Sequence, residues 1–341
     1  MRILITIPSL PPAGGAEMTA WELAKELANN HDVSIISFHR KKEKANHINE
    51  NVAIYCFPYK KHNLRYYLTS GRKDIKDIVA QIKPDVIFSH LTSILAYILR
   101  NSNAKKIVTI HNSEYKYYVN SLSQKIKHFF ITREVVKNYD VVTTVSMHMQ
   151  SYLNNYFKKE VLFIPNGVNS IFLENIRTLI TNKSIIYVGR LNEDKGVLKI
   201  FDLAEKLTDY TFNLIGDGPL KDTCSLPNVN FLGKIANDLL PDYYSSSRFA
   251  IFPSQYENFP LVGLEAMACG CVVIAYADGF KEYIQNGRNG YIVDDFINES
   301  LKIINDYEKN STEQVLIYEA INDASKYSWN IVANKYLETF H

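Results

Sequence analysis

The chain has 341 residues, a length that predicts two domains. Hydrophobic residues make up 46% and charged residues 22%, as in folded soluble proteins, which excludes the disordered and fibrous classes. The formal net charge is only +2, yet residues 1–168 carry 23 Lys and Arg against 13 Asp and Glu, net +10, and residues 169–341 carry 15 against 23, net −8. This polarity favours an anionic partner for the first half, although a solvated basic face would also produce it.

Membrane-spanning and disulfide-rich classes are also disfavoured. No apolar run approaches the roughly 18 to 20 residues of a membrane helix, and residues 1–8 are too short for a signal sequence. The four cysteines, Cys56, Cys224, Cys269 and Cys271, have the spacing of neither a disulfide framework nor a zinc ribbon. We therefore expect a cytoplasmic protein.

In the first half, apolar runs alternate with helical patterns, which is typical of βαβ units. The predicted strands are 2–8, 33–38, 52–57, 85–90, 106–111, 141–146 and 161–165, and the clearest helices are 16–29, 74–82 and 123–138.

A turn-rich segment at 165–169 and a polar stretch at 178–183 predict the domain boundary, because the strand and helix pattern starts again after them. The predicted strands of the second half are 185–189, 211–216, 229–233, 249–253, 272–275 and 290–293. Open α/β sheets bind ligands beyond the carboxyl ends of their strands, so chemistry-bearing residues are expected directly after strands.

Two such segments could bind phosphate. After the first strand, Gly14 and Gly15 open onto a helix, although a Gly-Gly turn alone is often only tight geometry. After the strand at 185–189, Arg190 and Lys195 stand five positions apart and could both reach one diphosphate. A surface turn with incidental ion pairs remains the alternative.

The most informative segment follows the strand at 249–253. Glu257 lies in the loop and Glu265 lies on the following helix, and such carboxylates can accept hydrogen bonds from sugar hydroxyls. The backbone amides of Asn258, Phe259 and Leu261 could meet a phosphate at the start of this helix.

Over essentially its whole length, and most clearly from 187 to 293, the sequence resembles glycosyltransferase family 4. The motifs that carry the resemblance are Gly14-Gly15-Ala16-Glu17, Asn166-Gly167-Val168, Gly189-Arg190-Leu191 with Lys195-Gly196, Gly216-Asp217-Gly218-Pro219-Leu220, and the pair Glu257 and Glu265. The resemblance implies an α/β GT-B architecture, with two Rossmann-like domains facing across a cleft. The N-terminal, acceptor-binding domain would span 1–168 plus a crossover helix at about 327–341, and the C-terminal, nucleotide-sugar-binding domain would span 169–326.

The resemblance also implies roles for individual residues. Arg190 and Lys195 would neutralise the diphosphate, Glu265 would bind the ribose and Glu257 would contact the donor sugar. Gly14 and Gly15 would approach the phosphates. His111 would lie near the donor sugar, and His90, which also ends a predicted strand, is its rival for that role.

The implied reaction is transfer from a nucleotide-sugar, which we expect to be a UDP-sugar, with retention of anomeric configuration. Cations that stabilise the leaving diphosphate lower the barrier. The sequence has no Asp-x-Asp motif, so we expect Arg190 and Lys195 to act in place of a metal, with no cofactor. No further carboxylate stands out as a nucleophile, which favours attack from the same face of the sugar, by analogy with the family.

The basic first half favours an anionic or lipid-linked acceptor in surface polysaccharide or lipopolysaccharide synthesis, and no nucleic-acid partner is expected. The stretch 115–137, which includes Phe130 and Arg133, is the expected peripheral membrane contact, with ordinary core packing as the alternative. Three other classes remain. These are a catalytically silent partner subunit, which should lose the diphosphate cations, a GT-B nucleotide-sugar epimerase, and a nicotinamide-dependent dehydrogenase, which should carry a phosphate-binding fingerprint that this chain lacks.

Overall fold

The computed structural model describes residues 1–10, 12, 14–39, 52–58, 70–111, 122–174, 182–307 and 313–340. The chain divides into two compact units, Met1–Asn166 with Trp329–His341, and Gly167–Ser328. The sequence predicts these boundaries at 168/169 and 326/327. Residues 115–121 of the predicted membrane contact lie outside the described residues, as do the side chains of 122–128.

The first unit is built on a seven-stranded, fully parallel sheet in the order β3-β2-β1-β4-β5-β6-β7. Its strands are β1 (Arg2–Leu10), β2 (Asp32–His39), β3 (Val52–Pro58), β4 (Val86–His90), β5 (Lys105–Ile110), β6 (Val141–Thr144) and β7 (Val161–Phe163). β1 and β4 are buried along almost their whole length, which is what helices on both faces of a sheet require.

The helices of this unit are α1 (Gly15–Leu27), α2 (Ser70–Ile82), α3 (Ile94–Leu99), α4 (Leu122–Asn138) and α5 (Met147–Phe157). A last helix, α12 (Trp329–Glu338), returns from the end of the chain. Trp329, Val332 and Tyr336 on α12 pack into the same apolar cluster as Ile3 and Ile5 of β1. The C-terminal segment therefore completes the core of the first unit.

The second unit contains a six-stranded parallel sheet in the order β10-β9-β8-β11-β12-β13. Its strands are β8 (Ser184–Val188), β9 (Thr211–Ile215), β10 (Val229–Gly233), β11 (Phe249–Phe252), β12 (Val272–Ala275) and β13 (Tyr291–Ile292). Its helices are α6 (Ser170–Glu174), α7 (Val197–Lys206), α8 (Leu240–Ser245), α9 (Leu261–Ala268), α10 (Phe296–Tyr307) and α11 (Glu313–Ser325), with short 3-10 helices at Glu193–Lys195, Asn237–Leu239 and Asp278–Glu282.

All thirteen predicted strands are present, and their ends agree with the sequence analysis to within two residues. Helix α2 begins four residues before the predicted start at 74, and α1 ends two residues before the predicted end at 29. His111 was predicted to end a strand, whereas β5 ends at Ile110 and His111 is the next residue. Of the helices that the structure describes, none combines the length and apolar composition that a membrane crossing requires.

Truncation of Tyr336 tests the contribution of α12 to the first unit. Its ring is fully buried and its hydroxyl lies 3.3 Å from Thr109 Oγ1. Tyr336→Ala should lower the free energy of unfolding of this unit by roughly 3 to 5 kcal/mol, the range for truncating a buried large aromatic. Trp21 and Trp329 both belong to the first unit, so tryptophan fluorescence during urea unfolding reports on it alone.

Ile331→Ala on the same helix is the matched control, because that side chain is 40% exposed. It should change the free energy of unfolding by about 0.5 kcal/mol or less. Equal losses for the two variants would show that α12 does not stabilise the unit through its buried face.

Candidate active site

Each of the two sheets reverses its strand order at one point, between β1 and β4 in the first unit and between β8 and β11 in the second. At such a point the loops that follow the two neighbouring strands run in opposite directions, which leaves a crevice beyond their carboxyl ends. Arg190 follows β8 and Glu257 follows β11. The residues selected from the sequence therefore border the crevice of the second unit.

The loop after β8 is held by close backbone contact with the loop after β9. A Cβ on Gly216 would lie 1.8 Å from the carbonyl oxygen of Gly189, and Gly216 has a φ of +142°, so only glycine fits there. Tyr187 Oη donates a 2.9 Å hydrogen bond to the carbonyl oxygen of Arg190. These contacts fix the backbone of Arg190, whose side chain is exposed.

Lys195 ends the 3-10 helix Glu193–Lys195. Asn192 caps this turn, since its side-chain oxygen accepts from the Lys195 amide at 3.1 Å. The next residue, Gly196, has a φ of +73°, and a Cβ there would lie 2.4 Å from the Pro253 carbonyl oxygen. This contact brings the turn that carries Lys195 against the end of β11.

Lys195 and Glu257 form the central ion pair of the site. Lys195 Nζ lies 2.5 Å from Glu257 Oε1, and both side chains are about four-fifths buried, with exposed fractions of 23% and 19%. Tyr187 lies beside the pair, and its pKa is raised by burial and then by the Glu257 carboxylate, against the opposing charge of Arg190. Tyr187 therefore remains a neutral hydrogen-bond donor between a cation and a carboxylate.

The loop that carries Glu257 rests on Gly279, where a Cβ would lie 2.3 Å from the Glu257 carbonyl oxygen. Tyr283 Oη donates to the carbonyl oxygen of Pro260 at 2.7 Å, at the start of α9. The Phe259 ring is buried, with its centroid 5.2 Å from that of Tyr283. The Phe259 amide is one of those predicted to meet phosphate. It therefore belongs to a residue whose side chain anchors the loop.

Glu265 lies on α9 and is half-buried. Tyr244 Oη donates to its Oε2 over 3.4 Å, a long hydrogen bond. Burial raises the pKa of Tyr244, and the Glu265 carboxylate raises it further, so the phenol stays protonated and can donate. Tyr244 thereby orients one oxygen of Glu265.

In the first unit, Gly14 caps the N-terminus of α1, and both Gly14 and Gly15 are exposed. A Cβ on Gly15 would meet no described atom within 4 Å, so packing among the described residues does not require glycine there. The third residue of the helix, Glu17, is buried and accepts a 2.5 Å hydrogen bond from Ser9 Oγ. This contact ties α1 to the end of β1.

His111 and His90 are partners. His90 Nδ1 lies 2.9 Å from His111 Nε2, and both rings are buried. Burial lowers the pKa of His111 to about 3 and lowers that of His90 well below its usual value. The two histidines that the sequence analysis treated as rivals thus form one neutral pair.

The structure brings Arg190, Lys195 and Glu257 to one end of the second sheet, with Glu265 on the next helix, and Gly14, Gly15 and His111 to the corresponding end of the first sheet. Sequence reasoning missed three tyrosines that orient these groups, Tyr187, Tyr244 and Tyr283. It could have found Tyr187 from its place near the end of the strand before Arg190. Among the described residues, no three His, Cys, Asp or Glu side chains converge as a metal site would require.

Both units match models of known protein families. Residues 13–170 match the family model described as Glycosyltransferase Family 4, and residues 182–306 match the one described as Glycosyl transferases group 1. An uncharacterized glycosyltransferase of Methanocaldococcus jannaschii, MJ1178, is 29% identical over 349 aligned positions that cover 96% of this chain and 95% of that protein. The lipopolysaccharide 1,2-N-acetylglucosaminetransferase of Salmonella typhimurium is 23% identical and covers 99% of this chain, with 97% of its own length matched.

Among solved structures, Anabaena Alr3699/HepE in complex with UDP-glucose superposes with a TM-score of 0.79, at 19% identity, over 99% of both chains. With its two parallel α/β domains, the protein has the GT-B fold. The chain belongs to the family 4 glycosyltransferases, and it is a glycosyltransferase enzyme.

Two glycine variants test the close contact at Gly216. Gly216→Ala should destabilise the second unit by about 3 kcal/mol or more, because it combines backbone strain with a collision against Gly189. Gly287→Ala should cost only about 1 to 2 kcal/mol, since its φ of +77° is strained but its Cβ would meet nothing within 4 Å. Urea unfolding followed by circular dichroism measures both, and equal losses would contradict the close-contact account.

Proposed function

We propose that the enzyme transfers a hexose or N-acetylhexosamine from a UDP-sugar to a glycan or lipid-linked acceptor, with retention of configuration, in surface polysaccharide or lipopolysaccharide synthesis. The observation that carries this proposal is the Lys195–Glu257 pair beside Arg190, at the strand-order reversal of the second sheet. Two relatives support the finer assignment. HepE was solved with UDP-glucose, and the Salmonella relative is a lipopolysaccharide N-acetylglucosaminetransferase.

The ion pair leaves both partners able to bind a donor. The Lys195 ammonium has three N–H groups, so it can hold Glu257 and still donate to a diphosphate oxygen. Glu257 receives Lys195 at Oε1, and its Oε2 can accept from a hydroxyl of the donor sugar. Arg190 adds a second cation for the diphosphate, and Glu265, oriented by Tyr244, accepts from the ribose hydroxyls.

Fixed cations in a partly buried site lower the barrier for losing the diphosphate. In the transfer step, the acceptor hydroxyl oxygen forms a bond to the anomeric carbon while the bond from that carbon to the UDP oxygen breaks. Negative charge then grows on the diphosphate next to Lys195 and Arg190, which act in place of a metal. The hydroxyl proton passes to the departing phosphate oxygen, which requires attack from the same face and retains the configuration.

The first unit would bind the acceptor, at the cytoplasmic face of the membrane. Its helices α4 and α5 expose a surface that we call the α4–α5 surface, defined by Phe130, Arg133, Lys137, Tyr152 and Tyr156. The Tyr152 and Tyr156 rings stack with centroids 5.8 Å apart, and both are about half exposed. Exposed aromatics beside cations suit the interfacial region of an anionic bilayer.

Ligand-dependent unfolding tests the donor site. UDP at 100 times its dissociation constant should stabilise the enzyme by about 2.7 kcal/mol, and GDP, ADP and CDP should do so less. Lys195→Ala should abolish the UDP effect because it removes the cation and leaves Glu257 close to the diphosphate. Differential scanning fluorimetry across the four nucleotides measures both effects.

Lys206→Ala is the matched control, since Lys206 is an exposed lysine at the end of α7, well along the helix that follows the Lys195 turn. It should keep the full UDP shift. Stabilisation by another nucleotide would reassign the base, whereas equal UDP shifts in wild type and Lys195→Ala would overturn the assignment of the diphosphate site.

Vesicle binding tests the α4–α5 surface. Each cation near an anionic bilayer contributes about 1 kcal/mol, so Arg133→Gln/Lys137→Gln should weaken binding to phosphatidylglycerol vesicles by roughly 30-fold. Lys206→Gln/Lys221→Gln makes the same charge change in the second unit and should leave binding unaltered. Co-sedimentation measures both, and equal weakening would show that binding follows net charge rather than this surface.

A further inference from the structure

The pair His90 and His111 lies at the carboxyl edge of the first sheet. His90 is the last residue of β4 and His111 follows β5, the neighbouring strand, which pairs with β4 in parallel register. The two rings are stacked, with centroids 5.2 Å apart and planes 28° from parallel. Phe88 packs against His90 with its ring centroid 4.5 Å away. The pair therefore has a fixed geometry in an aromatic setting.

Only one proton can occupy the 2.9 Å contact between His90 Nδ1 and His111 Nε2. Both rings are neutral because burial lowers the pKa of each, so each ring carries a single N–H. Two arrangements satisfy these conditions. Either His90 Nδ1 donates to His111 Nε2, or His111 Nε2 donates to His90 Nδ1.

The surroundings of His90 Nε2 distinguish the two arrangements. This atom is buried, and no described residue offers it a hydrogen-bond partner. If His111 were the donor, the single proton of His90 would sit on Nε2, as a buried N–H without an acceptor. If His90 is the donor, Nε2 keeps only an unused lone pair. Buried orphan donors are rarer and more costly than under-used acceptors, so the arrangement in which His90 Nδ1 donates to His111 Nε2 is favoured.

We propose that His90 is a positioning residue, which donates from Nδ1 and fixes His111 as the neutral tautomer protonated at Nδ1. The proton then lies on the nitrogen of His111 that does not face His90, and the lone pair of Nε2 is occupied by His90. His111 thus has no available basic nitrogen. The tautomer is inferred from the histidine pair, whereas its consequence for the reaction rests on the proposed function.

This arrangement suits the reaction proposed above. Positive character grows on the donor sugar as the diphosphate leaves, and a cationic imidazolium nearby would oppose it. A ring that stays neutral adds no such charge. With no basic nitrogen available, His111 does not take the acceptor proton, which must leave by another route, as in transfer to the departing phosphate.

The first test reads the tautomer directly, in protein labelled with 15N-histidine, through two-bond proton–nitrogen correlations. The His111 signals are assigned by their loss in His111→Gln. The pyridine-like, unprotonated nitrogen of His111 should be Nε2 in the ligand-free wild type. A protonated Nε2 overturns the proposal, whether or not the enzyme binds UDP.

Two substitutions of His90 separate the hydrogen bond from packing. His90→Phe keeps a ring against Phe88 but removes the donor, and His90→Asn removes the ring but places an amide N–H near the former Nδ1. His90→Phe should let the His111 proton move to Nε2, and His90→Asn should restore the Nδ1 tautomer. An unchanged His111 tautomer in His90→Phe overturns the proposal.

The second readout is UDP release from UDP-glucose, with water as acceptor. His90→Phe should lower kcat by about tenfold, in line with the loss of one orienting hydrogen bond, and His90→Asn should recover most of it. The affinity for UDP should stay unchanged in both variants because the diphosphate residues lie in the second unit. Equal losses of kcat in both variants would mean that His90 acts only through packing. An absence of UDP binding in the wild type would instead count against the proposed function and leave the tautomer result standing.

Discussion

The arrangement of the donor site depends on how closely the loops of the second unit approach one another. Gly216 lies directly against the backbone of Gly189, and Gly279 lies against that of Glu257, with no room for a Cβ at either contact. These contacts join loops from different strands of the sheet, so the positions of Arg190 and Glu257 are set by backbone rather than by flexible side chains. A preorganised charge is more effective than one that must move into place, because no reorganisation is needed during the reaction.

The side chains of the donor site also make polar contacts with one another. Lys195 and Glu257 balance each other, and Tyr187 and Tyr244 remain protonated because burial and nearby carboxylates raise the pKa of each. A buried charge without a partner would be costly, and the ion pair avoids that cost in the absence of ligand. The same pairing leaves N–H groups of Lys195 and one oxygen of Glu257 able to bind a substrate.

In the first unit, the groups that meet at the corresponding edge of the sheet are neutral. Its sheet also reverses strand order next to β1, and residues at the carboxyl ends of β4 and β5 meet there as the histidine pair. Burial keeps both rings uncharged, in contrast to the charged groups of the second unit. The two units therefore offer different chemistry from sheets that reverse strand order at corresponding points, and α12 completes the core of the first unit.

Much of this architecture could be predicted from the sequence. Every strand among the described residues lies within two residues of its predicted ends, because buried parallel strands are short apolar runs bounded by turns, a local signal. Arg190, Lys195 and Glu257 could be selected because ligand-binding residues follow strands in such sheets. The pairing of Lys195 with Glu257 could not be predicted, since the two residues lie 62 positions apart and meet only through the order of the strands.

The same limit applies to the histidines. The sequence identified His90 and His111 as separate strand-end residues, and only the parallel pairing of β4 with β5 brought their rings into contact. The sequence by itself determined the positions of the described strands and the chemical types of residue that follow them, because these depend on short-range patterns. The tertiary structure decided which of those residues touch, which are buried and which nitrogen can carry a proton, because these depend on neighbours that are distant along the chain.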